Sequence, residues 1–194
     1  DVQLGETTVE ANRVEDCHQG VAVESDGAYA STVQVANNTV GNSVVDGMFV
    51  EYGGGQVDVF HNTIVRPSVS YEGTAVHVLS GTVAVDNNIL VFHITGIGVD
   101  AGTVSEDWNL FYGTADDTSG TVTSGGNSWL DDPELVDLAG GDYHLQESSP
   151  AVNAAPCVGV RRDFESDPRP LAAGCDIGAD EFIAGRIYLP LIVR

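Results

Sequence analysis

A short asparagine-containing pattern recurs along the first 110 residues or so of this sequence, and it constrains the fold more than any other feature. Each copy has alternating apolar residues, then Asn, then another apolar residue two positions later. The asparagines are Asn12, Asn38, Asn62, Asn88 and Asn109, with spacings of 26, 24, 26 and 21 residues. A repeat of this length is typical of solenoids, in which each repeat stacks on its neighbours.

A second series of residues supports the same period. Gly20, Gly47, Gly73 and Gly96 each begin a short apolar segment, and they lie 27, 26 and 23 residues apart. The alternation, rich in Val and Thr, predicts short strands rather than helices. We therefore predict a β-solenoid of about five coils stacked about 4.8 Å apart. An antiparallel sandwich is the alternative, but it does not explain the self-similarity.

In such a stack, equivalent residues of successive coils lie one above another. Val33, Val57, Val83 and Val104 are predicted to form one inward apolar column. The five asparagines are predicted to form a structural ladder at a corner, where their amides hydrogen bond to each other and to turn backbone. This role leaves them without a catalytic one.

The repeats resemble the right-handed parallel β-helix proteins of the pectate-lyase-like superfamily over about residues 7–130. The resemblance implies an all-β fold, a right-handed parallel β-helix, which we place over residues 1–128. It implies no single activity, because that superfamily contains lyases, hydrolases, adhesins and structural proteins.

The composition changes near residue 128. The later motifs include Asp-Tyr-His-Leu (142–145), Asp-Pro-Arg-Pro (167–170) and Cys-Asp-Ile-Gly-Ala-Asp-Glu-Phe (175–182). They resemble the end module of secreted bacterial β-helix proteins, of the kind called "choice-of-anchor" domains. The resemblance implies an exported bacterial protein, extracellular or at the cell surface. We predict that residues 129–183 form an irregular capping module that covers the strand edges of the last coil.

The cysteines fit an exported protein. In that setting Cys157 and Cys175, 18 residues apart, would form a disulfide that staples a long loop. The alternative is a pair of buried free thiols. Cys17 is predicted to be a buried residue of the solenoid. Three cysteines at these spacings match no standard zinc pattern.

Residues 184–194 are predicted to form an apolar tail strand, too short to span a bilayer. Its candidate assembly residues are Ile187, Tyr188, Leu189, Leu191, Ile192 and Val193. A free strand of this kind is prone to aggregate, so we expect it to pack on its own solenoid or to add to a neighbouring subunit.

Charge and motif content exclude several functions. The chain has 29 acidic and 7 basic residues, a net charge of -22, and this disfavours nucleic acid and anionic membrane surfaces. No apolar run is long enough to span a membrane. Asp163, Glu165 and Asp167 alternate along the chain and are expected to serve turns and solvation, with calcium as the alternative. No other cofactor is expected, and the five histidines show no metal-binding spacing.

No catalytic constellation emerges, so we expect a non-enzymatic structural protein. The chain shows no helix ahead of the first coil to cap it, and its tail is apolar. These features predict self-association into a homopolymer, an extracellular filament or surface assembly, by head-to-tail stacking and C-terminal strand addition. The alternative is a carbohydrate-binding or polysaccharide-cleaving β-helix protein, whose activity could depend on calcium. A passive adhesin fragment is the third reading.

Overall fold

The computed structural model describes residues 6–25, 31–67 and 72–186, and these ranges contain strands but no helix. The strands are β1 (Glu6–Glu10), β2 (Arg13–Glu15), β3 (Gln19–Ser25), β4 (Thr32–Ala36), β5 (Thr39–Gly41), β6 (Asp46–Phe60), β7 (Thr63–Val65), β8 (Thr74–Asp86), β9 (Ile89–Val91), β10 (Thr95–Val99), β11 (Thr103–Asp107), β12 (Leu110–Tyr112), β13 (Asp116–Ser119), β14 (Val122–Ser124), β15 (Trp129–Leu130), β16 (Leu135–Asp137) and β17 (Asp142–Leu145). Accordingly, none of these ranges supplies a helix that could cross a membrane.

Two parallel sheets form the walls of the molecule. A six-stranded sheet has the order β15-β12-β9-β7-β5-β2, so each pass of the chain contributes one short strand to it. The second sheet has nine strands, and the long strands β6 and β8 each pair with shorter strands along both of their halves. This arrangement is a parallel β-helix, and it confirms the predicted all-β fold of about five coils.

The register of the sheets brings equivalent residues together. Val33 lies opposite Val57, Val57 opposite Val83, and Val83 opposite Val104, as the repeat predicts. All four are at least 94% buried in one apolar core. Full burial of each such side chain is worth about 1.5–3 kcal/mol, so the inward columns stabilise the stack.

The segment that follows β15 packs along the side of the coils. The Tyr143 hydroxyl donates to Glu15 Oε2 (3.2 Å), and the Ala179 amide donates to Thr63 Oγ1 (2.9 Å). The Gly178 amide donates to the carbonyl of Asn87 (2.9 Å). These contacts reach β2, β7 and the turn before β9 in the six-stranded sheet. The module covers the coils, but the predicted position over the strand edges of the last coil is not the observed one.

The reason for this position is the outer surface of the six-stranded sheet. Its outward side chains include Val65, Ile89, Val91 and Leu110, which are apolar and buried in a second core shared with the module. An apolar surface of that size needs a cover, and the module supplies it with residues such as Ile177. Because β15 pairs with β12, the last rung of this sheet ends at residue 130, inside the range predicted for the module.

Candidate functional site

The corner between the two sheets is built by a repeated backbone conformation. The residue before each ladder asparagine has a positive φ of 51° to 58°. These residues are Ala11, Asn37, His61, Asn87 and Trp108. A left-handed residue turns the chain sharply, and it aims the next side chain, the asparagine, into the stack.

The asparagines hydrogen bond from coil to coil. The backbone N–H and side-chain amide of Asn38 both donate to Asn62 Oδ1 at 3.0 Å. Asn62 donates in the same way to Asn88 Oδ1 at 2.9 and 3.0 Å. Its amide also donates to the carbonyl of Val35 at 2.8 Å. Each of these asparagines is fully buried, so the ladder satisfies backbone groups that water does not reach.

The ladder is closed at its C-terminal end by a different set of residues. Asn109 donates its backbone N–H to Ser128 Oγ (2.8 Å) and its amide to Glu106 Oε2 (3.2 Å). The Ser128 hydroxyl also donates to Glu106. Glu106 lies opposite Val85 in an inward column and is 4% exposed, so the apolar column ends in a carboxylate.

The ladder is open at its N-terminal end within the described ranges. Asn12 is exposed, and its amide donates to Asn38 Oδ1 at 3.0 Å. Its own Oδ1 accepts no hydrogen bond from residues 6–25, 31–67 or 72–186. The direction of the ladder leaves this oxygen as the acceptor for a further rung.

The strand edges at both ends of the stack are also without a strand partner in the described ranges. These are β1, β2 and β3 at one end and β13, β14 and β15 at the other. Leu130 on β15 is 65% exposed, and a cavity of about 230 Å³ opens beside it, with Glu106, Asp117 and Trp129 in its lining. The last coil thus presents both backbone hydrogen-bonding groups and an apolar side chain.

A polar cluster lies on the outer face of the nine-stranded sheet. His77 Nδ1 is 3.2 Å from Asp46 Oδ2, and His77 Nε2 is 3.3 Å from Asp100 Oδ2. The Phe49 ring packs edge-on against the imidazole at 5.5 Å. Both ring nitrogens therefore face carboxylates.

The predicted calcium residues have other partners. Asp163 Oδ1 accepts the backbone N–H groups of Glu165 (2.9 Å) and Asp167 (2.8 Å), and Oδ2 accepts that of Glu181 (3.1 Å). Arg186 pairs with Glu165 at 3.1 Å and also with Asp167. Within the described ranges these three acids do not gather their oxygens into one group of ligands.

The remaining predicted residues fall into two groups. Cys157 and Cys175 form a disulfide with an S–S distance of 2.04 Å, which confirms that pairing. Cys17 is a free thiol and only half-buried, less than predicted. The tail residues Ile187 to Val193 lie outside the described ranges.

Sequence reasoning missed a buried network that joins the module to the coils. Arg169 donates to the carbonyls of Asp176 (2.9 Å) and Gly178 (2.8 Å), and it lies 3.5 Å from Glu181. His61 Nδ1 is 3.0 Å from the guanidinium of Arg169. Burial, and then the charge of Arg169, hold the pKa of His61 well below its usual range. The only signal in the sequence was His61 itself, a histidine directly before a ladder asparagine.

Comparison with known proteins bears on the fold. A family model described as a right-handed beta helix region matches residues 3–92, which include the first four asparagines of the ladder. No curated protein and no solved structure gives a significant match. The match supports the right-handed β-helix repeat and is silent on the C-terminal module.

Proposed function

We propose that this chain is an exported, non-enzymatic structural subunit that associates with further copies of itself by head-to-tail stacking of coils. The observation that carries the proposal is the pair of coil ends that have no strand partner within residues 6–25, 31–67 and 72–186. One end has an open ladder acceptor and the other an exposed apolar side chain. The disulfide fits an oxidising compartment outside the cytoplasm.

Continuing the register of the six-stranded sheet defines the proposed contact. Leu130 lies opposite Phe111, and Val14 lies opposite Val40, in the same inward column. A second copy stacked on the last coil therefore places its Val14 against Leu130. The same register brings the backbone N–H of Ser128 toward the open Oδ1 of the second copy's Asn12.

This contact joins two different surfaces of the same molecule. A heterologous contact of that kind generates an open polymer when the rotation does not close a ring. Unpaired strand edges favour such pairing, and the ladder fixes its register. The predicted C-terminal strand addition is a second contact in this proposal, and a chain lacking residues 187–194 tests it separately: unchanged assembly would remove the tail from the proposal.

The test is the solution mass and negative-stain appearance of the purified chain over a range of concentrations. We expect oligomers of uniform width and increasing length. Leu130→Glu places a charge at the proposed contact and is expected to raise the concentration needed for assembly at least tenfold. The matched control is Leu171→Glu, because Leu171 is also exposed, at 46%, but lies in the module.

Two results would contradict the proposal. One is a monomer at every concentration, with or without calcium. The other is equal assembly of Leu130→Glu and the unmodified chain. Circular dichroism of both variants separates a lost contact from a lost fold.

The polar cluster around His77 favours a second candidate function, carbohydrate binding. Phe49 supplies an aromatic edge, and the exposed carboxylate of Asp100 supplies acceptors for sugar hydroxyls on the same face. The test is binding of neutral and acidic polysaccharides to the chain and to Phe49→Ala. Binding that Phe49→Ala abolishes would support this function, and no binding to any of them would remove it.

A further inference from the structure

A compact group of potential metal ligands lies within the C-terminal module. His144, Glu165 and Asp180 each place one ligating atom within 4.8 Å of the others. His144 belongs to β17, Glu165 to the loop that Asp163 organises, and Asp180 to the segment that covers the six-stranded sheet. Three separate segments therefore converge on one point.

Asp180 carries an acceptor that the protein leaves unused. Asp180 is 1% exposed, and its Oδ2 accepts the backbone N–H of Leu145 at 2.8 Å. Oδ1 is buried and accepts no hydrogen bond from the described residues. A carboxylate oxygen in this state is unfavourable unless a cation or a donor reaches it.

His144 is oriented by a neighbouring carboxylate. Its Nδ1 lies 2.5 Å from Asp142 Oδ1, and its Nε2 lies 3.3 Å from Glu165 Oε2. Asp142 therefore fixes the ring so that Nε2 points toward the ligand group. A carboxylate on the other ring nitrogen is the usual support of a metal-bound histidine.

We propose that His144, Glu165 and Asp180 bind a divalent transition-metal ion of the zinc class. One imidazole and two carboxylates suit such an ion better than calcium, which takes oxygen ligands. A tetrahedral ion with bonds of about 2.0–2.1 Å separates its ligand atoms by about 3.3 Å. The ligand atoms here lie within 4.8 Å of one another, so the side chains need to close by at most about 1.5 Å. The Glu165 side chain is 30% exposed, so the ion enters the site past this residue.

The charges around the site are compatible with a cation. Asp142 contributes a further negative charge through His144. Arg186 is the opposing group, because it lies 3.1 Å from Glu165 Oε2. An ion bound through the other oxygen of Glu165 leaves that pair in place. The bound ion ties together the three segments that hold the module in its fold.

The experiment titrates the full-length chain, stripped with EDTA, with zinc chloride in a calorimeter and with cobalt(II) in a visible spectrophotometer. We expect one equivalent of zinc to bind and cobalt to give the absorption bands of a four-coordinate site. His144→Ala and Asp180→Asn are expected to weaken zinc binding at least about 100-fold, and Asp142→Asn about 10–100-fold.

His77→Ala is the matched control, because that imidazole also lies between two carboxylates but has no unpartnered buried oxygen beside it. Its zinc affinity is expected to equal that of the unmodified chain. Circular dichroism without metal checks that each variant is folded. If His144→Ala or Asp180→Asn does not fold, Asp142→Asn still tests the site, because it keeps all three ligands. The proposal is overturned if no zinc binds below about 1 mM, or if binding survives in His144→Ala and Asp180→Asn. Either result leaves the stacking proposal untouched, since no coil-end residue takes part.

Discussion

One buried asparagine in each coil makes hydrogen bonds that the corner backbone cannot make with itself. Asn62 shows this most fully, because it accepts two donors from Asn38 and donates to the carbonyls of Val35 and Phe60. Water does not reach it, since its exposure is 0%. The ladder therefore contributes both stability and the register between coils.

Asn62→Ala is expected to lower the free energy of unfolding by about 3 kcal/mol or more, because it leaves several buried groups unpaired at about 1–3 kcal/mol each. Urea denaturation measures the loss. Asn127→Ala is the control, since Asn127 is exposed and its amide bonds only Asp107; there we expect less than about 1 kcal/mol. Equal losses in the two variants would contradict a special role for the ladder.

Asp86 lies opposite Asp107 on the neighbouring strand. Burial, and then the charge of Asp107, raise the pKa of Asp86 from 3.8 to about 6. The folded chain then holds this proton more tightly than the unfolded chain. The contribution to stability is present below about pH 4 and is lost as the pH rises through about 6.

Asp86→Asn removes this dependence, so the variant is expected to gain stability relative to the unmodified chain between pH 4 and pH 7. The gain is about 1 kcal/mol, because Asp86 is only half-buried and solvent screens the repulsion. Thermal unfolding across this range measures it. Asp116→Asn, at an exposed carboxylate of β13, should leave the pH profile unchanged, and a parallel profile for Asp86→Asn would refute the expectation.

The period of the sequence was sufficient to predict which asparagines stack, because each copy sits in the same local pattern. The residues that close the ladder were not predicted, because they break that pattern. Glu106 occupies a column position held by valine in the preceding coils, and Ser128 replaces an asparagine. In the sequence alone, a coil whose residues depart from the repeat cannot be distinguished from the end of the repeat region.

At the scale of elements, the position of the C-terminal module was not predictable from its own composition. The strand triplets such as Thr63–Val65 and Ile89–Val91 carry apolar residues on both sides, so they read equally well as buried or half-buried strands. Because of that ambiguity, the sequence did not predict the outer apolar surface that the module covers. Of the three proposed metal ligands, the sequence pointed only to Glu165, and there to calcium. His144 and Asp180 were missed because they are distant from it in sequence, and the fold of the module brings the three together.

Gly178 lies where the module comes close to the coils. Its φ is +90°, and a Cβ there would lie 2.6 Å from Ile89 Cδ1 and 2.7 Å from Thr63 Oγ1. Gly178→Ala is therefore expected to strain the backbone and to push the module away from the six-stranded sheet. We expect faster hydrogen exchange over residues 176–182, with the coils remaining protected.

Gly126→Ala separates these two effects. Gly126 has a similar φ of +87° but has nothing within 4 Å of its Cβ position, so it reports backbone strain alone. We expect Gly178→Ala to cost about 1–3 kcal/mol more than Gly126→Ala, the usual penalty of overpacking. Equal costs would mean that the contact at Gly178 adjusts without loss.

At the scale of the whole molecule, stacking has to overcome charge. Each copy carries a net charge of -22, and the register that places Val14 against Leu130 also places Glu15 near Asp131. Like charges opposite each other destabilise a strand pair. In the proposed contact, the coil ends therefore provide shape and hydrogen bonds, and we expect dissolved ions to screen the repulsion between two copies.

Assembly is consequently expected to increase with salt. The Debye length falls from about 30 Å at 0.01 M to about 8 Å at 0.15 M, which screens the repulsion between copies and leaves the hydrogen bonds and the Leu130 contact. Sedimentation velocity at constant protein concentration measures the mean mass across this range, and we expect it to rise at least twofold. Glu15→Gln removes one of the facing charges and should shift the rise to lower salt, whereas Glu147→Gln, at an exposed acid in the module, should not. A mean mass that falls as salt is added would mean that attraction between opposite charges, rather than stacking of coil ends, holds the copies together.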